Sequence, residues 1–390
     1  VVTTYQEPTG AEKAGFLHYK QPPAPFDLFM REEGIPVHRG IGVRDSRELP
    51  LGDWKRMGGR GSYIQLSGIQ GKTSLYVVEV PAAGALNPER HMYEERFIVL
   101  EGRGSTEVWR DGSARRQAFE WQPGSVFSLP LNAWHRIVNA TSSPALLLAV
   151  TNAPAIIDTF QNRRFVFDNP FDFTERFDDS EDFFKPKEDL EPHPIQGRAM
   201  LRTNLLPDAV SCYLPLDNNR GPGYRWISPN MVGNTILQGF IAEYPSGRYS
   251  KAHYHDSGAV LVCLRGKGYS VTWPVDLGTR PWESGKGDLV KQQDYVPGGM
   301  ISAAPGGGNW FHQHFAIGQD PFRVFNFTGT ARNYRAQEGD MVAGVGAEMG
   351  SQGGRALPYV EEDPHIREYY RSRLKEEGVE FQMPDGEFDL

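Results

Sequence analysis

The chain has 390 residues, 39% hydrophobic and 12% aromatic, which is enough apolar material for two buried cores. Its 43 glycines and 29 prolines argue against helix bundles and for many short strands joined by turns. A formal charge of -8 offers no electrostatic footprint for nucleic acid or an anionic membrane surface.

Residues 1–60 read as an irregular arm with little periodic signal. A first unit at 61–160 carries expected strands at 62–66, 74–80, 97–100, 105–109, 125–129 and 145–150, most bounded by Gly, Pro or Asn turns. A connecting arm follows at 161–200. Its acidic stretch 168–191 contains Phe171, Phe173, Phe177, Phe183 and Phe184, so it is expected to pack across the barrels or on a partner subunit, with its acids facing water. A second unit at 201–330 repeats the strand pattern at 235–243, 259–264, 269–273, 288–290 and 322–327. In the C-terminal extension, 331–390, Asp363 is a good N-cap, Pro364 suits the first helical position and Gly378 follows the last turn. Ile366, Tyr369, Tyr370 and Leu374 share one face of that helix, which should close the outside of a barrel. The fold class is therefore all-β: two tandem antiparallel jelly-roll barrels, an acidic and aromatic connecting arm, and a C-terminal helix.

Two cysteines, Cys212 and Cys263, match no zinc or redox spacing, so a disulfide framework is excluded and a reducing cytoplasm is expected. No basic start precedes an apolar run, so no signal peptide is expected. The apolar run at 145–150 is far shorter than the roughly 20 residues of a membrane span.

The two units are copies. The run from Glu101 to Trp109 lines up with Arg265 to Trp273 at an offset of 164, which places Glu89 on His253, His91 on His255 and Glu95 on Ala259. Further on, Asn132-Ala-Trp-His135 answers Asn309-Trp-Phe-His312 across a longer loop. Alternate strand residues share a face, so His253 and His255 converge if that face is the barrel interior, and His312 supplies a third imidazole. His314 repeats the spacing and is expected as a metal ligand or as support for one. Neutral imidazole suits Fe, Zn, Cu and Ni. In the first copy Glu89, His91, Glu95 and His135 form a weaker candidate site, with Arg90 and Arg96 as potential ion-pair partners of the two glutamates. His18, His38, His193 and His365 lack partner spacing and read as surface or loop residues.

Alternation from Ala259 sends Leu261 and Cys263 into the second pocket, and Trp310 should share the face of His312. Trp273, Tyr269 and Phe315 are candidate aromatic walls, and Arg225 and Arg248 candidate carboxylate clamps, beside the bland readings of core aromatics and solvated arginines. The Gly-rich stretch before His312 reads as a lid or tight turn at the barrel mouth.

From about residue 60 to 330 the chain resembles the cupin superfamily, and within it the two-barrel bicupins. The first half matches the two cupin motifs at Gly84, Glu89, His91, Glu95 and Gly102, then Gly124, Pro130, His135 and Asn139; the second matches at His253, His255 and Gly266, then Gly287, Pro305 and His312. Each half departs from the pattern: Glu89 stands where the first motif has its leading His, and Ala259 where the second has its Glu. The second barrel is thus left with three neutral histidines. Such centres resemble those of gentisate-type, diketone-cleaving and thiol dioxygenases, while loss of the Glu argues against a manganese oxalate-decarboxylase pattern. The resemblance implies one divalent metal per chain, Fe(II) in preference to Zn, Ni or Mn, and a small chelating anionic substrate whose C–C bond is cleaved with dioxygen. No separate catalytic base stands beside the histidines. The rivals are a redox-neutral lyase, isomerase or hydrolase, and a non-catalytic small-molecule binder. Family analogy further implies a homodimer or larger closed homo-oligomer, with neither nucleic acid nor membrane as partner.

Overall fold

The strand Ala145–Thr151 is buried at every position, and its two faces serve two different cores. Leu147 and Ala149 point into the first barrel, whereas Leu146, Leu148 and Val150 join a layer between the barrels. Ser74–Val80 and Glu95–Glu101 divide in the same way, with Tyr76, Val78, Phe97 and Val99 inward and Leu75, Val77, Ile98 and Leu100 outward. Strands buried on both sides read as continuous apolar runs. The computed structural model describes residues 7–12, 20–194, 196–231, 233–256, 258–328 and 346–389; His18 lies outside them.

Each barrel is a large sheet closed by a three-stranded one. In the first barrel the small sheet runs Trp134–Asn139, Gly104–Trp109, Gln117–Trp121; in the second it runs Lys291–Tyr295, Gly268–Pro274, Trp310–Ala316. The large sheets face one another, and Val260, Val262, Phe325 and Phe327 of the second meet the outward residues of the first. The barrels also exchange strands. Gly42–Val43 pairs with Met300–Ser302 of the second barrel, while Leu205–Leu206 pairs with Val126–Ser128 of the first.

The segment before residue 60 is more ordered than its sequence suggests. It contains the helix Pro25–Glu33 and the strands Val37–Gly40, Gly42–Val43 and Gly52–Trp54, with Phe26, Phe29 and Trp54 buried in the first core. Period-based reading misses it because the strands are two to four residues long. Residues 287–289 form a 3-10 turn, and the strand begins only at Lys291. The connecting arm lies on the first barrel: Phe177 and Phe184 are buried, with Phe184 stacked 4.4 Å from Phe119, whereas Phe171 stays exposed. Among the described residues no helix is long and apolar enough to cross a membrane.

The helix Pro364–Glu377 follows its sequence signals. The Asp363 carboxylate accepts from His365 N at 3.1 Å and from Trp282 N at 2.8 Å, and Gly378 ends the helix in the left-handed region. Ile366, Tyr370 and Leu374 cover the outer face of the small sheet of the second barrel, together with Tyr269, Trp273, Phe311 and Phe315.

Two buried carboxyls tie these layers together. Glu94 accepts from the backbone N–H of Thr235 at 2.7 Å and of Ile236 and Leu237 at 2.8 Å each, so the first barrel grips the strand entering the second. Replacing it by Ala removes the acceptor of three donors, of which only the Leu237 N–H is fully buried, and should cost about 1–3 kcal/mol, read as a lowered urea midpoint. Glu362 accepts from Tyr249 Oη at 2.5 Å and Gln313 Nε2 at 3.2 Å, and burial raises its carboxyl from 4.5 to about 7 against those bonds and Arg367. The folded state therefore favours the protonated acid. That contribution is complete below about pH 4.5 and is lost as pH rises through 7. The loss should approach about 3 kcal/mol, and Glu362→Gln should flatten it in urea titrations at pH 5 and pH 8.

Candidate metal centres

In the first barrel Glu89 and His135 are cross-strand neighbours, exchanging backbone hydrogen bonds at 3.1 and 2.9 Å. His91 lies two residues on, and Glu95 opens the adjoining strand. One ligand atom from each of Glu89, His91, Glu95 and His135 lies within 4.8 Å of the others, a spread that suits ligands about 2.1 Å from a common ion. His91 Nε2 is 3.1 Å from Glu95 Oε2, and His135 Nε2 is 3.7 Å from Glu89 Oε1.

The far side of every one of these groups is held. His91 Nδ1 donates to Tyr93 O at 2.8 Å and His135 Nδ1 to Ala133 O at 3.2 Å. A carbonyl can only accept, so each imidazole carries a proton on Nδ1 and turns Nε2 toward the site, where in His91 it meets the Glu95 carboxylate. Tyr76 Oη donates to Glu95 Oε1 at 2.8 Å, and Arg56 Nη1 binds Glu89 Oε2 while its Nε reaches Glu33 at 2.7 Å. Burial opposes ionisation of Glu89, yet Arg56 and the two histidines outweigh it and hold the carboxyl at about 2. Burial likewise opposes charge on His91, and Glu95 more than offsets it, making this imidazole a stronger base than usual.

The arginines expected beside these glutamates lie elsewhere. Arg90 pairs with Asp111 at 2.9 Å, and Arg96 donates to Leu237 O at 2.6 Å beneath Phe325. Arg56 takes that role from 33 residues upstream, and nothing in the local spacing signals it.

In the second barrel His253 and His312 exchange backbone bonds at 3.1 and 2.9 Å, and Asn309 N donates to His255 O at 3.0 Å. One ligand atom each of His253, His255 and His312 falls within 4.8 Å of the others. Nδ1 of His253 faces Lys251 O at 3.4 Å and that of His312 faces Trp310 O at 3.1 Å, so these two rings also present Nε2. Burial pushes both well below the ordinary imidazole value, with Arg220 and neighbouring histidines adding to it. The rings stay neutral and their lone pairs stay available. Asn132 and Asn309 keep left-handed backbones, at φ 58° and 52°, so the turn before the ligand strand is the same in both copies.

His314 stands beside the set. Its ring is 5.6 Å from His312 and 6.3 Å from His253, and its Nδ1 bonds Ser270 Oγ at 2.7 Å, which in turn meets Tyr295 Oη at 2.8 Å. Ala259, Leu261 and Cys263 belong to the interior cluster as alternation predicts, but the Cys263 thiol turns to Arg265 O at 3.5 Å. Trp310 is half-buried against the Gly-rich turn, where a side chain on Gly306 would meet its indole at 2.1 Å.

Three expectations for the pocket fail. Thr272 pairs with His312 and Ser270 with His314, so their neighbours Trp273, Tyr269 and Phe315 face outward, under the C-terminal helix. Arg225 is spent on Leu214 O at 2.8 Å. Arg248 lies against Gly223 and lines a separate cavity of about 410 Å³ with Lys251 and Glu387. The arginine that does act on the histidines, Arg220, was not singled out by any spacing.

The Cupin_2 family, described as "Cupin domain", matches residues 76–151. A search of curated proteins finds no match. Among solved structures the chain is similar to Bacillus subtilis oxalate decarboxylase with Mn(II) centres, at 12% identity over 76% of this chain and 78% of that one, TM-score 0.47. It is similar to the Lactobacillus farciminis oxalate decarboxylase formate complex at 11% identity over 74% and 86%, TM-score 0.44. It is also similar to Momordica charantia 7S globulin at 13% identity over 74% and 84%, TM-score 0.46. The match to the cupin domain covers most of the first barrel, and the same barrel and ligand frame recur in the second half.

Proposed function

We propose that this bicupin is a metal-dependent enzyme whose reaction takes place at His253, His255 and His312, and that the reaction is oxygen-dependent C–C cleavage of a small chelating substrate. The observation that carries this reading is a set of three imidazoles, His253 and His312 buried and His255 half-buried, with no carboxylate among them, Ala259 standing where the first barrel has Glu95. Three neutral ligands leave the charge of a divalent ion uncompensated, which favours a chelating anion. Ferrous iron bound there would activate dioxygen and dock that anion, the substrate itself supplying the electrons as both oxygen atoms enter the cleaved product. The chain's own contribution is positional. Lys251 O and Trp310 O fix two ring tautomers, Ser270 holds His314 beside the set, and Leu261 and Ala259 give an apolar wall.

The first barrel supports a second reading, redox-neutral chemistry with Mn, Zn or Ni, because its two carboxylates match the charge of a divalent ion and suit harder metals. Its outer contacts, Arg56 to Glu89 and Tyr76 to Glu95, are those of a site built to hold an ion firmly.

Two measurements decide between the centres. Protein purified without chelator should contain up to two metal equivalents; His312→Ala should remove one and Glu89→Gln with His135→Ala the other. Oxygen uptake with catechols, gentisate-like acids or diketones should vanish with His312→Ala and survive the first-barrel change. Oxygen-independent turnover that follows Glu89 and His135 would instead establish the second reading. Arg56→Gln should weaken metal binding in the first barrel about 10- to 100-fold and leave the second unaltered, read by competition with a chelator of known affinity.

A further inference from the structure

The position two residues beyond the last histidine of each set differs between the copies. In the first barrel it is Ile137, buried and opposite Thr106 in the strand pairing; in the second it is His314, opposite Ser270. The next strand keeps the correspondence, with Trp121 opposite Gly104 and Tyr295 opposite Gly268. Each barrel thus sets an aromatic donor, a hydroxyl and the side chain beyond the last histidine in one row.

In the first barrel the row stops at the hydroxyl. Trp121 Nε1 donates to Thr106 Oγ1 at 3.1 Å, and an indole N–H can do nothing else, so the direction of that bond is fixed. In the second barrel the row continues, from Tyr295 Oη to Ser270 Oγ at 2.8 Å and from Ser270 Oγ to His314 Nδ1 at 2.7 Å. Tyr295 is 1% exposed, and among the described residues Ser270 is the hydrogen-bond partner of its hydroxyl. Were Ser270 to donate to it, the phenol proton would be orphaned, at a cost of about 1–3 kcal/mol. The phenol therefore donates to Ser270, as the indole does to Thr106, and Ser270 spends its single proton on Nδ1 of His314.

Burial lowers the basicity of His314, so its ring is neutral and carries one N–H. With Nδ1 accepting, that proton is on Nε2. His253 and His312 have the opposite tautomer, since their Nδ1 atoms face carbonyls and their lone pairs are on Nε2. His314 also lies outside the group of His253, His255 and His312 whose ligand atoms fall within 4.8 Å of one another. Its ring is nonetheless 5.6 Å from that of His312, on the same face of the strand, and Nε2 has no hydrogen-bond partner among the described residues.

We propose that His314 is a hydrogen-bond donor to the second centre and not a fourth ligand, its Nε2–H meeting an anionic atom of a small ligand bound there. Tyr295 and Ser270 act as positioning residues that fix the donor tautomer. The assignment rests on the three-histidine reading above.

The test titrates cobalt-loaded full-length protein with azide and follows the cobalt absorption spectrum, without turnover. The part of the signal lost in His312→Ala reports the second barrel. His314→Ile, which puts the first-barrel residue in its place, should weaken azide binding there about 10-fold with cobalt content unchanged, the ratio expected of one charge-assisted bond. Tyr295→Phe removes one oxygen at the far end of the row and should reproduce part of that loss. In zinc-loaded protein, histidine nitrogen-15 spectra should put the His314 proton on Nε2 and those of His253 and His312 on Nδ1. Unchanged azide affinity in His314→Ile, or a His314 proton on Nδ1, overturns the donor role and leaves the metal centre standing. Loss of cobalt from His314→Ile makes His314 a ligand and overturns it as well. Should His314→Ile lose its fold, Tyr295→Phe decides, an unchanged affinity overturning the proposal. If no azide signal of the wild type depends on His312, the reading of an open three-histidine centre falls, and the assignment with it.

Discussion

Glu94 and Arg96 flank Glu95, and the geometry of both centres depends on what these two neighbours hold. The Glu94 carboxylate takes three successive backbone N–H groups from residues 235–237, and Arg96 takes the carbonyl of Leu237. Burying a carboxylate without such donors is costly, so this set favours one arrangement of the two barrels. The same strand aims Glu95 into the first site, and the gripped segment opens Gln238–Tyr244, whose Tyr244 stands beside His314. Exchange of the strands Gly42–Val43 and Leu205–Leu206 ties the barrels a second time, so neither is a complete sheet without residues from outside its own repeat.

One duplicated frame has produced two electrostatically opposite pockets. Both place an Asn in the left-handed region before the ligand strand, and both turn imidazole Nε2 inward by giving Nδ1 a carbonyl. The first then adds two carboxylates and balances one of them with Arg56; the second has Ala259 in the place of Glu95 and no carboxylate in its set. A divalent ion is charge-compensated in one and exposed to an anionic ligand in the other.

Legibility in the sequence followed the range of the forces involved. Capping and amphipathic spacing are local, so the helix Pro364–Glu377 could be read with its ends. The repeat made the ligand sets legible, because an offset of 164 residues aligns positions without any knowledge of the fold. Alternation sorts a strand into two faces but does not say which face is the interior when both are buried. For Trp273, Tyr269 and Phe315 that choice was settled by the pairing of Ser270 and Thr272 with His314 and His312, and by the helix that covers the other side.

The sequence by itself determined two β-barrels, seven candidate ligand positions and the exchange of one carboxylate for Ala259, since periodicity, repetition and residue chemistry are written along the chain. Only the tertiary structure decided which charges meet those ligands. Arg56 reaches Glu89 from the segment before the first repeat, and Tyr359, far along the chain, closes the space beside Gly221 ahead of the histidine segment. Contacts of that kind depend on packing between distant segments, and no local spacing encodes them.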